Sequence, residues 1–494
     1  MATQPFMPLP GGLHLPTFKT LSASRPLAEA PLPAELVFPL QLRGGINAVP
    51  TVSAGQRVLK GEVIARAAFE NLPPLHASSS GIVRCIENRL LPHPSAMEDL
   101  CIIIDTDGLD EALPLQPRRH FSLESRETLR AWLIEAGVLG LGGAAFPTGF
   151  KVDPGKRRVD TLILNAAECE PYITCDDSLL QHFPHEVLQG AIILMHILSV
   201  EQCIIGIEDD MPEACRSLEN ALRARAYSGI RLQRVPALYP SGGEKQLIQI
   251  LTGREVPAGG IPADIGIVCQ NVGTAGAVYR AIEYQEPLVS RIVTVTGHGI
   301  HEPRNWITRI GTPIAHLTAA SGGYTNAAER LIIGGPMMGF AVSDDQLPVT
   351  KASNCILVAG HEDLPEPPEV MPCIRCGACA EVCPAGLLPQ QLYWYGRADN
   401  QERLEQHELF SCIECGCCNM VCPSHIPLVQ HFRASKGKLT LKRREREKAD
   451  HARVRFESRQ SRKEEEKRSK AEATRRKREA LNLNTPEVTH TEAN

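Results

Sequence analysis

Aromatic residues make up only 5% of the 494-residue chain, and three of them are tryptophan. No apolar run reaches the roughly 20 residues that a membrane-crossing helix needs. The most apolar window, LQGAIILMHILSV at Leu188–Val200, is too short and reads as a buried helix. The amino terminus, MATQPFMPLPGG, has no basic stretch running into an apolar core, so a secretory leader is not expected and the thiols are read as sitting in a reducing compartment. What remains is 43% hydrophobic, enough for several cores of about 150 residues each. Charge is uneven. The net −5 conceals a stretch, Lys436–Ala480, with 19 Lys and Arg against 9 Asp and Glu.

Nine of the 17 cysteines lie between Cys373 and Cys422. MPCIRCGACAEVCP carries Cys373, Cys376, Cys379 and Cys383, and FSCIECGCCNMVCP repeats the pattern with Cys412, Cys415, Cys418 and Cys422. Each run is C-x2-C-x2-C-x3-C-P. Three thiolates so spaced can face one [4Fe–4S] cube, while the fourth serves the other cube. Cluster 1 is therefore assigned to Cys373, Cys376, Cys379 and Cys422, and cluster 2 to Cys412, Cys415, Cys418 and Cys383. Zinc knuckles would instead pair two C-x2-C units around one four-ligand site. Cys417 fits neither cube and reads as a bystander. The other eight cysteines, Cys85 to Cys355, read mostly as small buried hydrophobes. Helices are expected at Leu387–Tyr395, Ala398–Leu409 and Ile426–Phe432. Cubes carry single electrons, so a two-electron donor would need a further cofactor.

A glycine-rich loop, GVLGLGGAAFPTGFK at Gly137–Lys151, could supply it. It is not an ordinary dinucleotide turn, which follows a strand. Here Leu129, Trp132, Leu133 and Ala136 mark one face of a preceding helix, and Gly137 sits at its C-cap. Free backbone N–H groups and Lys151 could still hold a phosphate. Downstream, strands at Val159–Leu164, Cys203–Ile207 and Ile230–Ala237 alternate with helices at His185–Ser199 and Met211–Ala226, the pattern of a parallel α/β layer. Ligands of such sheets bind beyond the strand C-termini. NAAECEPY (Asn165–Tyr172), Glu208–Asp210 and YPSGGEKQ (Tyr239–Gln246) fall there, either as a site or as ordinary polar loops.

GLGGAAFPTGFK, NAAECEP, YPSGGEKQLIQILTG and QNVGTAGAV occur in the order found in the FMN- and NADH-binding subunit of respiratory complex I. Joined to a two-cluster ferredoxin module, they resemble the RnfC (RsxC) family, peripheral subunits of Rnf membrane complexes that couple electron transfer to ion translocation. The resemblance runs from about Gly11 to Lys436. It implies that FMN lies against Gly140, Gly142, Gly143 and Lys151, with Asn165, Glu168, Tyr239, Gly242, Asn271 and Thr274 completing the cradle. It also implies that Phe146, Glu170 and Glu244 face NADH, with Lys151, Glu170 and Glu244 acting in the reaction. Complex I has an arginine, an aspartate and an acidic residue where this chain has Leu141, Ala167 and Gly243, and an aromatic near Lys151 that is missing here. These departures fall on nucleotide contacts more than on flavin contacts. The implied partners are the other Rnf subunits, ferredoxin or another iron–sulfur protein, and the cytoplasmic face of the inner membrane. The family's upkeep of an iron–sulfur redox regulator is implied as well.

The expected architecture is multidomain α/β: a barrel-sandwich-hybrid module (1–115), a parallel-sheet FMN/NADH domain (116–290), an SLBB-like α+β unit (291–358), a two-cluster ferredoxin domain (362–435) and a charged tail (436–494). The first module resembles lipoyl carriers, yet Ala65–Ser80 has no lysine to load, so it reads as structural. Met337 and Met338 read as core. The tail is expected to be disordered or a solvated helix. Its single aromatic, Phe456, argues against nucleic-acid binding, whereas its basic excess suits an anionic membrane surface.

Overall fold

The computed structural model describes residues 8–42, 46–67, 72–114, 116, 119–225, 227–366 and 368–482. Residues 68–71, in the hairpin read as lacking a carrier lysine, and 483–494, the end of the charged tail, lie outside the described residues.

The first module is two antiparallel four-stranded sheets. One runs Glu35–Pro39, Glu98–Thr106, Gly81–Leu90, Arg57–Val58; the other runs Gln41–Leu42, Ile46–Pro50, Val63–Ala67, Leu75–His76. Alternate residues turn inward, so Leu36, Phe38, Val83, Ile102 and Ile104 share one core with Val58 and Ile64.

The central domain is a parallel sheet in the order Ile230–Val235, Gln202–Glu208, Thr161–Ala166, Ile267–Asn271. Its strands are apolar on both faces because helices cover both. Pro184–Leu198 and Val272–Glu283 pack on one side with Leu162, Leu164 and Ile205, and Glu244–Thr252 packs on the other with Ile163 and Ile204. Helix Arg126–Glu135 starts where the Ser125 side chain accepts the Thr128 N–H at 3.1 Å and buries Leu129 and Leu133. It stops at Gly137, whose φ of +67° favours glycine. The glycine loop thus leaves a helix, as its pattern indicates. The fourth strand adds to the three that the sequence pattern predicts.

A six-stranded mixed sheet follows, ordered Ala28–Glu29, Arg304–Arg309, Ser290–Thr296, Cys355–Ala359, Arg330–Ile333, Phe340–Val342. Its edge strand comes from the amino-terminal segment, which is expected from the sequence to belong to the barrel. Residues before it form a strap rather than barrel. Leu13 exchanges backbone hydrogen bonds with Tyr239, Gly12 N–H donates to the Val382 carbonyl at 3.0 Å, and Lys19 pairs with Asp210 at 2.8 Å.

The cysteine runs repeat in backbone as well as in sequence. Arg375 and Glu414 (φ +58° and +60°), then Gly377 and Gly416 (φ +87° and +84°), occupy matching left-handed positions. Helices Ala378–Glu381, Pro389–Arg397 and Gln401–Gln406 enclose Leu392, Leu404, Leu409 and Phe432. One helix, Leu428–Asn482, then continues for 55 residues. Val429, Phe432 and Leu439 anchor it to this module, and from Arg443 onward its residues are exposed through Ala480. Of the two expectations for the tail, the solvated helix is the one observed.

Candidate functional site

At the C-terminal edge of the parallel sheet lies a cavity of about 670 Å³, a size usual for a cofactor site. Gly140, Gly142, Gly143, Phe146 and Lys151 form one wall, Asn165, Glu168 and Glu170 a second, and Tyr239, Gly242, Glu244 and Asn271 a third. Thr274 does not line it; its hydroxyl accepts the Leu141 N–H at 2.9 Å and so fixes the glycine loop from behind. Within that loop Gly140 N–H bonds the Phe146 carbonyl at 2.8 Å, and Arg291 holds the Leu141 carbonyl at 3.1 Å.

The opposite walls are tied to the sheet. Asn165 donates to the Gly242 carbonyl at 2.8 Å and accepts the Ala167 N–H at 3.0 Å. Asn271 ends the fourth strand and caps the next helix, accepting the Gly273 N–H at 2.8 Å while its amide donates to Asp176 at 2.5 Å. Glu168 is buried and accepts the N–H groups of Asp176 and Asp177 at 3.0 and 3.1 Å; burial and the nearby Asp176 raise its carboxyl above the usual range, opposed by Lys19 and these two bonds. Glu170 is raised chiefly by burial and accepts the N–H groups of Met337 and Met338 at 2.8 and 2.9 Å. Met338 is therefore a half-exposed part of the cavity rim rather than core. Lys151 and Glu244 pair across the mouth at 2.8 Å.

Two contacts go beyond what the sequence pattern indicates. Tyr239 presents its ring to the cavity, but its hydroxyl donates to the carbonyl of Cys415 at 2.6 Å. Ile413, from the second cysteine run, is itself a lining residue. Cys169 and Cys175 also line the wall, and Cys169 Sγ accepts the Gly242 N–H at 3.2 Å, so these two are more than filler. Their neighbours in NAAECEP are the available signal. Cys417 is fully buried beside Tyr239 and Cys415 rather than idle at the surface.

The residues fit a planar, phosphate-bearing cofactor. A side chain at Gly142 would put its Cβ 3.3 Å from that of Asn271, closing the cradle, and Gln270 leaves a buried amide nitrogen without a partner at the cavity. The thiols fit two metal clusters. Cys373, Cys376, Cys379 and Cys422 line one small cavity of about 20 Å³. Cys412 and Cys418 are raised by burial and by one another's neighbours, Cys415 and Cys383 among them, which places the fourth thiol of the first run with the second.

A glycine-loop cavity on a parallel sheet, roofed by a repeated cysteine module, defines a flavin and iron–sulfur electron-transfer protein. The domain families agree: residues 7–109 match the RnfC barrel sandwich hybrid domain, 133–280 the Nuo51 FMN-binding domain, 292–341 the SLBB domain and 369–426 the 4Fe-4S dicluster domain. Over 92% of its length the chain is 45% identical to the RnfC-type member of the ion-translocating oxidoreductase complex of Pectobacterium carotovorum and 48% identical to that of Pseudomonas aeruginosa. It is a homologue of these RnfC-type proteins, and spans 60% and 58% of their respective lengths. A distant likeness, at 18% identity and a TM-score of 0.44, covers 64% of this chain and 62% of a chain of an NAD+-reducing [NiFe]-hydrogenase.

Proposed function

We propose that the chain is the peripheral, FMN- and iron–sulfur-bearing subunit of an Rnf-type complex, passing electrons from NADH toward a membrane partner that moves ions, or in reverse from ferredoxin. The observation that carries this reading is the shared wall: Tyr239 and Ile413 make the second cysteine run part of the cavity that the glycine loop cradles. FMN bound there would exchange a two-electron donor for single electrons, and two [4Fe–4S] cubes would carry those on.

The chain's own residues set the conditions. Gly142 and Gly143 let the backbone come close to a flavin phosphate, and Lys151 supplies a positive charge at the mouth. Asn165 and Asn271 hold that backbone in place. Cys412, Cys415, Cys418 and Cys383 would hold the cube beside the cavity. Cys373, Cys376, Cys379 and Cys422, with Cys376 exposed, would hold the outer one. No helix of the described residues is long and apolar enough to cross a membrane. Attachment would come from partner subunits and from the basic helix lying against an anionic inner-membrane surface on the cytoplasmic side.

A second reading keeps the flavin and cubes but takes electrons from another protein. The Lys151–Glu244 pair favours it, because it occupies two groups that would otherwise meet the nucleotide. Anaerobic purification followed by flavin, iron and sulfide analysis tests what the readings share: one FMN and close to eight irons. Absence of flavin would leave only a cluster-bearing scaffold.

A further inference from the structure

Behind the large cavity lies a second, of about 70 Å³, enclosed by the glycine loop, helix Val272–Glu283 and the strand that begins at Ser290. The two share a wall made by Leu141, Cys175 and Asp176. One carboxylate oxygen each of Glu168 and Asp176 lies with Cys175 Sγ inside a 4.8 Å group. The far side of the small cavity carries Glu186 and Arg280, paired at 2.7 Å and partly open to solvent, together with Glu286. About 70 Å³ is room for more than one water, and these walls offer polar partners for it.

We propose that Glu168 and Asp176 carry protons between the flavin cavity and the small cavity behind it, from which water passes them to solvent beside Glu186 and Arg280. The proposal rests on the flavin reading above. A nicotinamide donor gives up one hydride, the cubes accept two electrons, and one proton per hydride is left in the cavity. A cavity filled by flavin and donor excludes water from its front. Glu168 lines that cavity, takes the proton on its carboxylate, and hands it to Asp176 through the shared wall.

The surroundings suit proton exchange. Burial raises both carboxyls, so each holds a proton more readily than an exposed acid. Lys19 faces Glu168 and opposes this; Asn271 and Arg291 face Asp176 and oppose it, while Asp177 reinforces it. Cys175 donates from its thiol to Glu168 at 3.2 Å. Neither carboxyl is locked to a single cation, as a purely structural buried pair would be.

Two variants test this in the full-length protein. Asp176→Asn keeps the shape and removes the titrating group. Gly276→Leu fills the small cavity, since a Cβ at Gly276 meets nothing within 4 Å, and touches neither carboxyl. The protein is fully reduced, freed of reductant and mixed with ferricyanide, which takes electrons and no protons, in weak buffer with a pH-indicator dye. Each variant should keep its FMN and release the proton more slowly, on the order of 10²-fold. In flavin-free protein, infrared spectra taken while lowering pH should show a carboxylic-acid carbonyl band that Asp176→Asn removes. Wild-type dye traces from both variants at full FMN, or a band that persists without Asp176, overturn the proposal alone. A protein that purifies without FMN removes the flavin reading and this proposal with it.

Discussion

The hydroxyl of Tyr239 donates to the carbonyl of Cys415 across 2.6 Å, in a buried position. One residue of the flavin-side wall thereby holds the loop of a cysteine run more than 170 residues away. The strap adds to this joint, because Leu13 pairs with the backbone of the same tyrosine.

Tyr239→Phe should leave that carbonyl unsatisfied, at a cost of about 1–3 kcal/mol. FMN and iron content should stay near wild type at 20 °C. Loss of iron on heating should begin at a lower temperature, followed by the visible absorbance of the cubes. An unchanged melting of the cubes would mean that the joint is held by the strap alone.

Cys383→Ser should damage the cube built on Cys412, Cys415 and Cys418 and spare the one built on its own run. Electron paramagnetic resonance on reduced protein distinguishes the two signals, and total iron should fall toward half. Loss of the signal belonging to Cys373, Cys376 and Cys379 would contradict the crossed arrangement.

Gly142→Val should release FMN while both cubes remain. A Cβ at this position already stands 3.3 Å from Asn271, and valine adds two methyl groups in the cradle. Fluorescence of the released flavin measures the effect. Full FMN in the variant would move the flavin away from this loop.

Lys351 is buried where the barrel, the flavin domain and the mixed sheet meet, and donates to the Gly137 carbonyl at 2.8 Å. Burial pushes it down from 10.5 to about 7. Between those two values the unfolded chain binds the extra proton, so stability should climb as pH rises through this window. Below it both states are protonated and the penalty stands in full. Lys351→Met should flatten that climb, worth on the order of 1–4 kcal/mol. Thermal midpoints at a series of pH values check it; an equal slope in the variant would assign the dependence elsewhere.

The sequence patterns that survive folding unchanged are local ones. The repeat Cys373–Cys383 and Cys412–Cys422, the α/β alternation after Val159, and the helix before Gly137 each declare themselves within a dozen residues. The cavity-lining glycines and Asn165 follow from the rule that parallel sheets bind ligands past their strand ends. What could not be read is long-range. Ala28 and Glu29 become an edge strand only because Trp306 and Ile307 lie beside them, and two residues carry no periodicity. Tyr239 looks like a flavin contact until the cysteine module is docked onto it. Met338 looks like core until its N–H meets Glu170.

The most direct measurement of the central claim is anaerobic mixing of NADH with protein carrying full FMN and both cubes. Absorbance follows the flavin, and freeze-quenched paramagnetic resonance follows the clusters. The account expects the flavin to bleach first and cube reduction to follow. Glu244→Gln should weaken the NADH dependence by about ten- to a hundredfold, the loss of a charge-assisted bond, with dithionite still reducing every centre. Wild-type protein that dithionite reduces but NADH never bleaches would contradict direct NADH oxidation and make the chain a flavin relay fed by another protein.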